Sequence, residues 1–328
     1  MDIPPAIAEL PRFALLDGPS PLAPLRRFSA ALGDDVDVWI KREDLLPLAF
    51  GGNKLRNLEF LVGAALAAGA DTLVTSGRRW SNHCRLTAAA GARAGLDVDL
   101  VMTGPPPAAG AEGPNQVLDE LLGARVHITA TDLRAERTAL VEDVVARLRA
   151  DGRRPFVIEV GGTGLVGAAG QVLAGLELAD QLAALGIGEA TVVLPSATGG
   201  THAGVLTGLA LAAPPVRPVT GVAVAAPAEE LRPTIAALLE GLAELVGVVV
   251  SPDAIRLEDD QLGDGYGRPT EAADAATRLL ARTEGVLVDP IYTAKALAGL
   301  VAGVREGRLR GRVVFWHAGG LPGLFEAV

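Results

Sequence analysis

Three lysines, Lys41, Lys54 and Lys295, stand among 29 basic residues in a chain of 328. Arginine cannot form a Schiff base with a carbonyl, so amine chemistry has few places to reside here. Lys54 is the lysine whose surroundings suit it. It follows Gly51-Gly52-Asn53, where the glycines permit backbone angles that other residues avoid and Asn53 is expected to cap a helix. Leu55, Leu58, Leu61, Val62, Ala65 and Leu66 then recur at helical spacing until Gly69. Lys54 therefore lies in the first turn, at the positive helix end. A cation there is disfavoured by a few tenths to about 1 kcal/mol unless it is neutral or meets an anion. That makes Lys54 a candidate nucleophile, with a solvated surface lysine as the alternative.

Ser196-Ala197-Thr198-Gly199-Gly200-Thr201 follows the apolar run Val192-Val193-Leu194 and precedes an Ala- and Leu-rich helix. Strand, glycine turn and helix start bring backbone N–H groups and hydroxyls together as an anion cradle. The spacing fits neither a dinucleotide fingerprint nor an ATP-binding loop, so a single phosphate is the better match, and a plain tight βα turn the alternative. Gly77-Arg78-Arg79-Trp80-Ser81-Asn82-His83 also joins a strand to a helix. Ser81 and Asn82 are good helix caps; with the N–H groups behind them they also make a site sized for a carboxylate. No Gly-x-Ser-x-Gly turn surrounds Ser81, which disfavours a serine hydrolase. The chain's two tyrosines, Tyr266 and Tyr292, sit in loops beside glycine or proline, and Phe315-Trp316-His317 ends in Gly319-Gly320.

These residues need a scaffold that collects loops at one mouth. Strands are expected at Val36 to Ile40, Thr72 to Thr75, Val98 to Met102, Ala124 to Ile128, Pro155 to Glu159, Ala190 to Leu194, Val219 to Val224, Val248 to Val250 and Arg312 to Trp316, with helices between most of them. A loop is expected over 104–113 and a helix from Asp132 to Arg149. Alternating strands and helices imply right-handed crossovers and parallel sheets covered on both faces. Ligands then gather where strands end. The glycine-dense run 160–167 reads as a crossing between two bodies.

Composition sets outer limits. A formal charge of -10 argues against a nucleic-acid surface, and the single Cys84 excludes an intramolecular disulfide and a thiolate-rich metal cluster. No apolar run approaches the roughly 20 residues of a membrane span. Met1-Asp2-Ile3-Pro4-Pro5 lacks a signal-peptide pattern, so a cytoplasmic protein is expected.

Taken in order, a lysine after Gly-Gly-Asn, Ser81-Asn82-His83, Gly199-Gly200-Thr201, Tyr292-Thr293-x-Lys295 and His317-x-Gly319-Gly320 form a set. In these motifs the chain resembles the pyridoxal-phosphate enzymes of the tryptophan-synthase-β-like fold (fold type II). Within them it is most like the branch of D-cysteine desulfhydrase and 1-aminocyclopropane-1-carboxylate deaminase. The likeness runs from Leu22 to Phe325.

The resemblance implies an α/β protein of two parallel-sheet domains with the cofactor, pyridoxal 5'-phosphate, in the cleft between them. Residues 1–55 with 164–328 would form the larger domain, 56–163 a smaller mobile one, and two chains a homodimer. Lys54 would hold the cofactor covalently and move protons at the substrate α-carbon. Asn82 would bond the phenolic oxygen, and Ala197, Thr198, Gly199, Gly200 and Thr201 the phosphate. Ser81 would take the carboxylate of a small amino acid, with Asn82, His83, Arg79 and Trp80 lining its place. Tyr266 and Tyr292 would face the substrate as hydrogen-bond or proton-transfer partners, and Thr293 and Ala318 would lie near the pyridine nitrogen. The implied reaction is loss of the α-proton and expulsion of a β-substituent, giving a keto acid and ammonia.

Three departures qualify the template. Arg78-Arg79-Trp80 stands where the family typically has a small residue, an isoleucine or similar, and a glutamine, which suits either solvent or a substrate with a second anionic group. Thr293 stands where the deaminase has glutamate, and Ala318 where desulfhydrases carry threonine, leaving the pyridine nitrogen without an evident acid. Ala294 replaces a glycine. Ring opening of an aminocyclopropane, β- or γ-replacement, and a non-catalytic cofactor-binding regulator are the alternatives.

Overall fold

The computed structural model describes residues 2–104, 112–130, 133–212 and 218–325. In chain order the strands are β1 (Leu22–Pro24), β2 (Val36–Arg42), β3 (Thr72–Arg78), β4 (Asp97–Thr103), β5 (Arg125–Thr129), β6 (Pro155–Val157), β7 (Thr191–Ser196), β8 (Val219–Ala223), β9 (Arg256–Glu258) and β10 (Gly311–His317). The helices are α1 (Pro5–Ala8), α2 (Arg26–Leu32), α3 (Lys54–Ala67), α4 (Asn82–Ala94), α5 (Pro114–Leu121), α6 (Arg134–Ala150), α7 (Leu165–Ala184), α8 (Gly200–Leu211), α9 (Ala228–Val246), α10 (Glu271–Glu284) and α11 (Thr293–Arg305).

Two sheets result, one of six strands ordered β1-β2-β10-β7-β8-β9 and one of four ordered β5-β4-β3-β6. Every pairing is parallel except β1 with β2, where the chain turns back before entering the sheet. The central strands are apolar without alternation, as helices on both faces require: β8 is buried throughout and β3 up to its last residue. The strand ends leading to Ser81, Gly162, Gly199 and Gly320 all precede the loops that carry the candidate residues.

Some expectations need correction. Val248 to Val250 is not a strand: the left-handed Gly247 closes α9, Val249 is 85% exposed, and the sheet edge is supplied by β9 instead. The proline-rich first forty residues contain the short helices α1 and α2, held by the buried Ile7 and Phe28. Residues 105–111 of the expected loop, and Asp132, lie outside the described residues.

A seam of small residues decides how α3, α7 and α8 meet. A Cβ at Gly170 would lie 2.0 Å from the Arg56 carbonyl oxygen, and one at Gly175 would lie 2.5 Å from that of Val205. Side chains at those positions would push the helices apart, so glycine sets their spacing. Polar groups then fix the register. Gln171 of α7 donates to the Asn53 carbonyl (2.8 Å) and to Asn57 Oδ1 (2.6 Å), and Asn57 donates to the Gly162 carbonyl (2.9 Å).

A buried ionic cluster lies behind this seam. Arg56, 3% exposed, reaches Glu43 at 2.6 Å and 2.8 Å and Glu177 at 2.9 Å. Lys41 joins through Glu177, Gln181 Oε1 (2.7 Å) and the Ser20 carbonyl (2.8 Å). Removing one member leaves a buried charge uncompensated, so Glu43→Ala is expected to cost about 3–5 kcal/mol in urea unfolding. Arg310→Ala, which breaks an exposed pair with Asp35, should leave the unfolding midpoint nearly unchanged. Equal shifts for the two variants would contradict this role of the cluster.

Candidate active site

The approach to Lys54 is unusual backbone. Leu48, Ala49 and Phe50 have φ of 69°, 43° and 65°, and Gly51 and Gly52 follow at 65° and 133°. Glycine is required at Gly51, where a Cβ would sit 2.2 Å from the Asp44 carbonyl oxygen. Asn53 then behaves differently from the expected cap: its own φ and ψ are helical and its side chain makes no capping bond. Its N–H donates to the Ala318 carbonyl (2.9 Å) and its Nδ2 to Thr201 Oγ1 (2.8 Å). The start of α3 is thus tied to the loop after β10 and to the first turn of α8. Among the described residues no hydrogen bond or ion pair reaches Lys54 Nζ, and burial pushes its pKa down to about 8. A substantial neutral fraction near pH 7 to 8 is what a nucleophilic amine requires.

The turn after β7 has the geometry of an anion cradle. Gly199 is left-handed at φ 87°, and α8 opens at Gly200 without a side-chain cap. The first N–H groups of α8 therefore have no partner within the helix, and a phosphate is their natural acceptor. Thr198 Oγ1 accepts from Thr163 (2.5 Å), which turns that hydroxyl's own hydrogen toward other acceptors. Ala197 and Thr198 are half-buried at the mouth of this turn.

The opposite wall comes from α4. Ser81 is its N-cap, accepting from the Cys84 N–H at 3.2 Å. Asn82 Oδ1 is taken by Arg85 Nη1 (2.6 Å) and Asn115 Nδ2 (3.3 Å). His83 turns inward to Thr75 Oγ1 (3.0 Å), and burial, with the nearby Lys54 charge, pushes its pKa down to about 3. It is a neutral imidazole. A Cβ on Gly319 would lie 2.6 Å from Gly52 Cα, and one on Gly320 within 2.9 Å of Asn82 Nδ2 and Asp289 Oδ1. These glycines let three loops close on one point.

Tyr292 and Tyr266 join through their hydroxyls, and Trp80 meets Tyr266 edge-on at 6.0 Å. Burial raises both phenol pKa values, so both remain protonated near neutrality. Arg78 Cζ lies 6.0 Å from the Trp80 ring and 5.9 Å from that of Tyr266. Arg79 instead donates from Nε to the Gly104 carbonyl (3.0 Å).

Sequence reasoning gave no role to three residues. Asp289 accepts the N–H groups of Ile291 (3.0 Å), Tyr292 (2.7 Å) and Thr293 (3.0 Å) and the Thr293 hydroxyl. Its signal was present, since an aspartate before proline and ahead of a helix is a capping pattern. Arg85 and Asp119 are fully buried, and only a charge on the inward face of α4 or α5 could have flagged them.

An enclosed amine of lowered pKa, a helix start free for phosphate and an amide donor at the glycine junction fit a phosphorylated aromatic aldehyde. The chain belongs to the pyridoxal-phosphate-dependent enzymes: the family described as "Pyridoxal-phosphate dependent enzyme" matches residues 13–319. Its cofactor is pyridoxal phosphate. It is 40% identical over 324 residues, 97% of each chain, to proteins named D-cysteine desulfhydrase from Salmonella choleraesuis (strain SC-B67) and Salmonella newport (strain SL254). A crystal structure described as an ACC deaminase homologue superposes with a TM-score of 0.90 at 35% identity, covering 98% of this chain and 95% of that one. Threonine deaminase isoform 2 from Solanum lycopersicum shares the fold, with a TM-score of 0.65 at 20% identity over 97% of this chain and 86% of its own. The two-sheet fold-type-II architecture expected from the motifs is therefore that of the chain.

Asp119 offers a test of the site's interior. Both its carboxylate oxygens lack hydrogen-bond partners, and burial pushes its pKa up to about 8 despite Arg85. The folded protein thus keeps a proton that the unfolded chain releases near pH 4. Its stability contribution is complete below that pH and is lost as pH rises through about 8. The urea midpoint should fall between pH 5 and pH 9, and fall less in Asp119→Asn; parallel profiles would contradict a protonated Asp119.

Proposed function

We propose that the enzyme is a carbon–sulfur lyase of desulfhydrase type, taking D-cysteine and water to pyruvate, hydrogen sulfide and ammonia. The observation that carries this reading is the 40% identity, over 97% of the chain, to proteins named for that activity. Thr293 also favours it over aminocyclopropane ring opening, since its hydroxyl is engaged by Asp289 and it supplies no carboxylate of its own.

In this reading pyridoxal phosphate, when bound, supplies the electron sink for the pair left at Cα. Lys54 holds the cofactor and moves the proton at Cα. Ser81 and the N–H groups at the start of α4 orient the substrate carboxylate, with Asn82, His83, Arg79 and Trp80 around it. Asn82 donates to the phenolic oxygen, and residues 197–201 bind the phosphate. The Tyr266–Tyr292 pair stays protonated and donates toward the leaving sulfur. Thr293 and Ala318 lie on the pyridine-nitrogen side. Residues 1–55 with 164–328 act as the larger domain, 56–163 as the mobile one, and the enzyme works as a cytoplasmic homodimer. No described helix is long and apolar enough to cross a membrane.

The purified holoenzyme should release pyruvate from D-cysteine, and Lys54→Ala should lower kcat/KM by about a thousandfold or more. Binding without pyruvate from any amino acid would instead support a non-catalytic regulator. A second reading, a substrate with a further anionic group undergoing elimination or replacement, is favoured by Arg78 lying against Trp80 and Tyr266. Under that reading Arg78→Ala lowers kcat/KM about tenfold or more for a β-substituted amino acid with a distal carboxylate or sulfonate and leaves D-cysteine turnover nearly unchanged. Equal losses on both substrates would remove the second reading.

A further inference from the structure

Arg85 is the largest fully buried charged side chain, and none of the roles above uses it. Its Nη1 donates to Asn82 Oδ1 and to Asn115 Oδ1, both at 2.6 Å, and its Nη2 to the Gly51 carbonyl at 3.1 Å. Among the described residues no carboxylate forms a salt bridge with it. Asp119 and Asp289 act on it only from beyond ion-pair distance, and its direct partners are neutral amide and carbonyl oxygens. Burying an arginine on such terms is costly, and the hydrogen bonds it makes are the return.

An asparagine amide has two orientations, and its neighbours decide between them. Here Arg85 and Asn115 both donate to Asn82 Oδ1. Nδ2 must then face the other way, toward Gly320, where an added Cβ would lie 2.9 Å from it. The positive charge behind Oδ1 also polarises the amide and strengthens its N–H donors. The third bond of Arg85 goes to Gly51, three residues before Lys54, so one guanidinium ties the amide donor to the loop that carries the amine.

We propose that Arg85 is a positioning residue that acts through Asn82: it turns the amide's donor face into the cleft and holds it in register with Lys54. This rests on Asn82 being the residue that meets the phenolic oxygen of the cofactor. A donor at that oxygen stabilises its ionised form, so losing the donor raises the pH at which the absorption of the bound cofactor changes.

The test is a double-mutant cycle on the holoenzyme with Arg85→Met and Asn82→Ala, reading that spectral midpoint and the rate of cofactor release. Each single variant should move the midpoint upward and speed release about tenfold, and the double variant should go no further than Asn82→Ala alone. Effects that add, or an Arg85→Met variant with an unmoved midpoint and only a lowered melting temperature, would overturn the proposal and leave Arg85 a structural residue. A midpoint unmoved by Asn82→Ala would remove the Asn82 reading and the proposal with it, a result distinct from additive effects. If Arg85→Met does not fold, Asn115→Ala decides: it removes one donor from Oδ1, and a smaller upward shift supports the proposal while an unmoved midpoint overturns it.

Discussion

The arrangement depends on Arg56 being paid for in full. It enters the core two residues after Lys54, and there it meets Glu43 from the turn just after β2 and Glu177 from α7, with Lys41 of β2 completing the charge count. Two acids and two bases taken out of water gain little net energy, because the cost of desolvation nearly cancels the attraction. What they supply is intolerance of error. Sliding α3 by one residue would leave four buried charges mismatched, so the helix that presents Lys54 has one register.

Around that fixed helix the protein uses the absence of side chains as much as their presence. Glycines at the α3–α7–α8 seam draw two helix starts together, one carrying an amine and the other a set of unbonded N–H groups. Glycines at 52, 319 and 320 bring the loops close enough for Asn53, Thr201 and Ala318 to share hydrogen bonds. The resulting cleft gathers two helix starts and the Lys54 amine, although the chain as a whole is acidic. An anionic cofactor and an amino-acid carboxylate both gain from this, because charges in a partly dehydrated cleft interact more strongly than in water.

Much of this was legible in the sequence because backbone chemistry writes itself locally. Glycine runs after apolar strands marked the turns, and the helical recurrence after Asn53 placed Lys54 at a helix start. The misses share a different cause. Val248 to Val250 has strand-forming residues, but only the sheet edge decides which segment pairs there. Asn53 has the right type for a cap, yet its partner Thr201 is 148 positions away. Arg85 likewise acts through Asn115 and Gly51, contacts that close only when separate segments meet, whereas the Asp289 carboxylate, among the described residues, bonds only within the next four and its capping pattern was there to be read. Local pattern reports which conformation a segment prefers; it does not report which hydrogen bonds the assembled cleft will demand.

The left-handed run at Leu48, Ala49 and Phe50 bears on a property that helices usually lack. A helix start is ordinarily a soft boundary, free to fray or to gain a residue as conditions change. Residues with β-carbons in this conformation cannot continue a right-handed helix backward, so α3 has a hard edge just ahead of its first turn. One added residue would turn a side chain by about 100° around the axis. By forbidding that step, a strained loop converts a flexible lysine into a pointer with a fixed bearing.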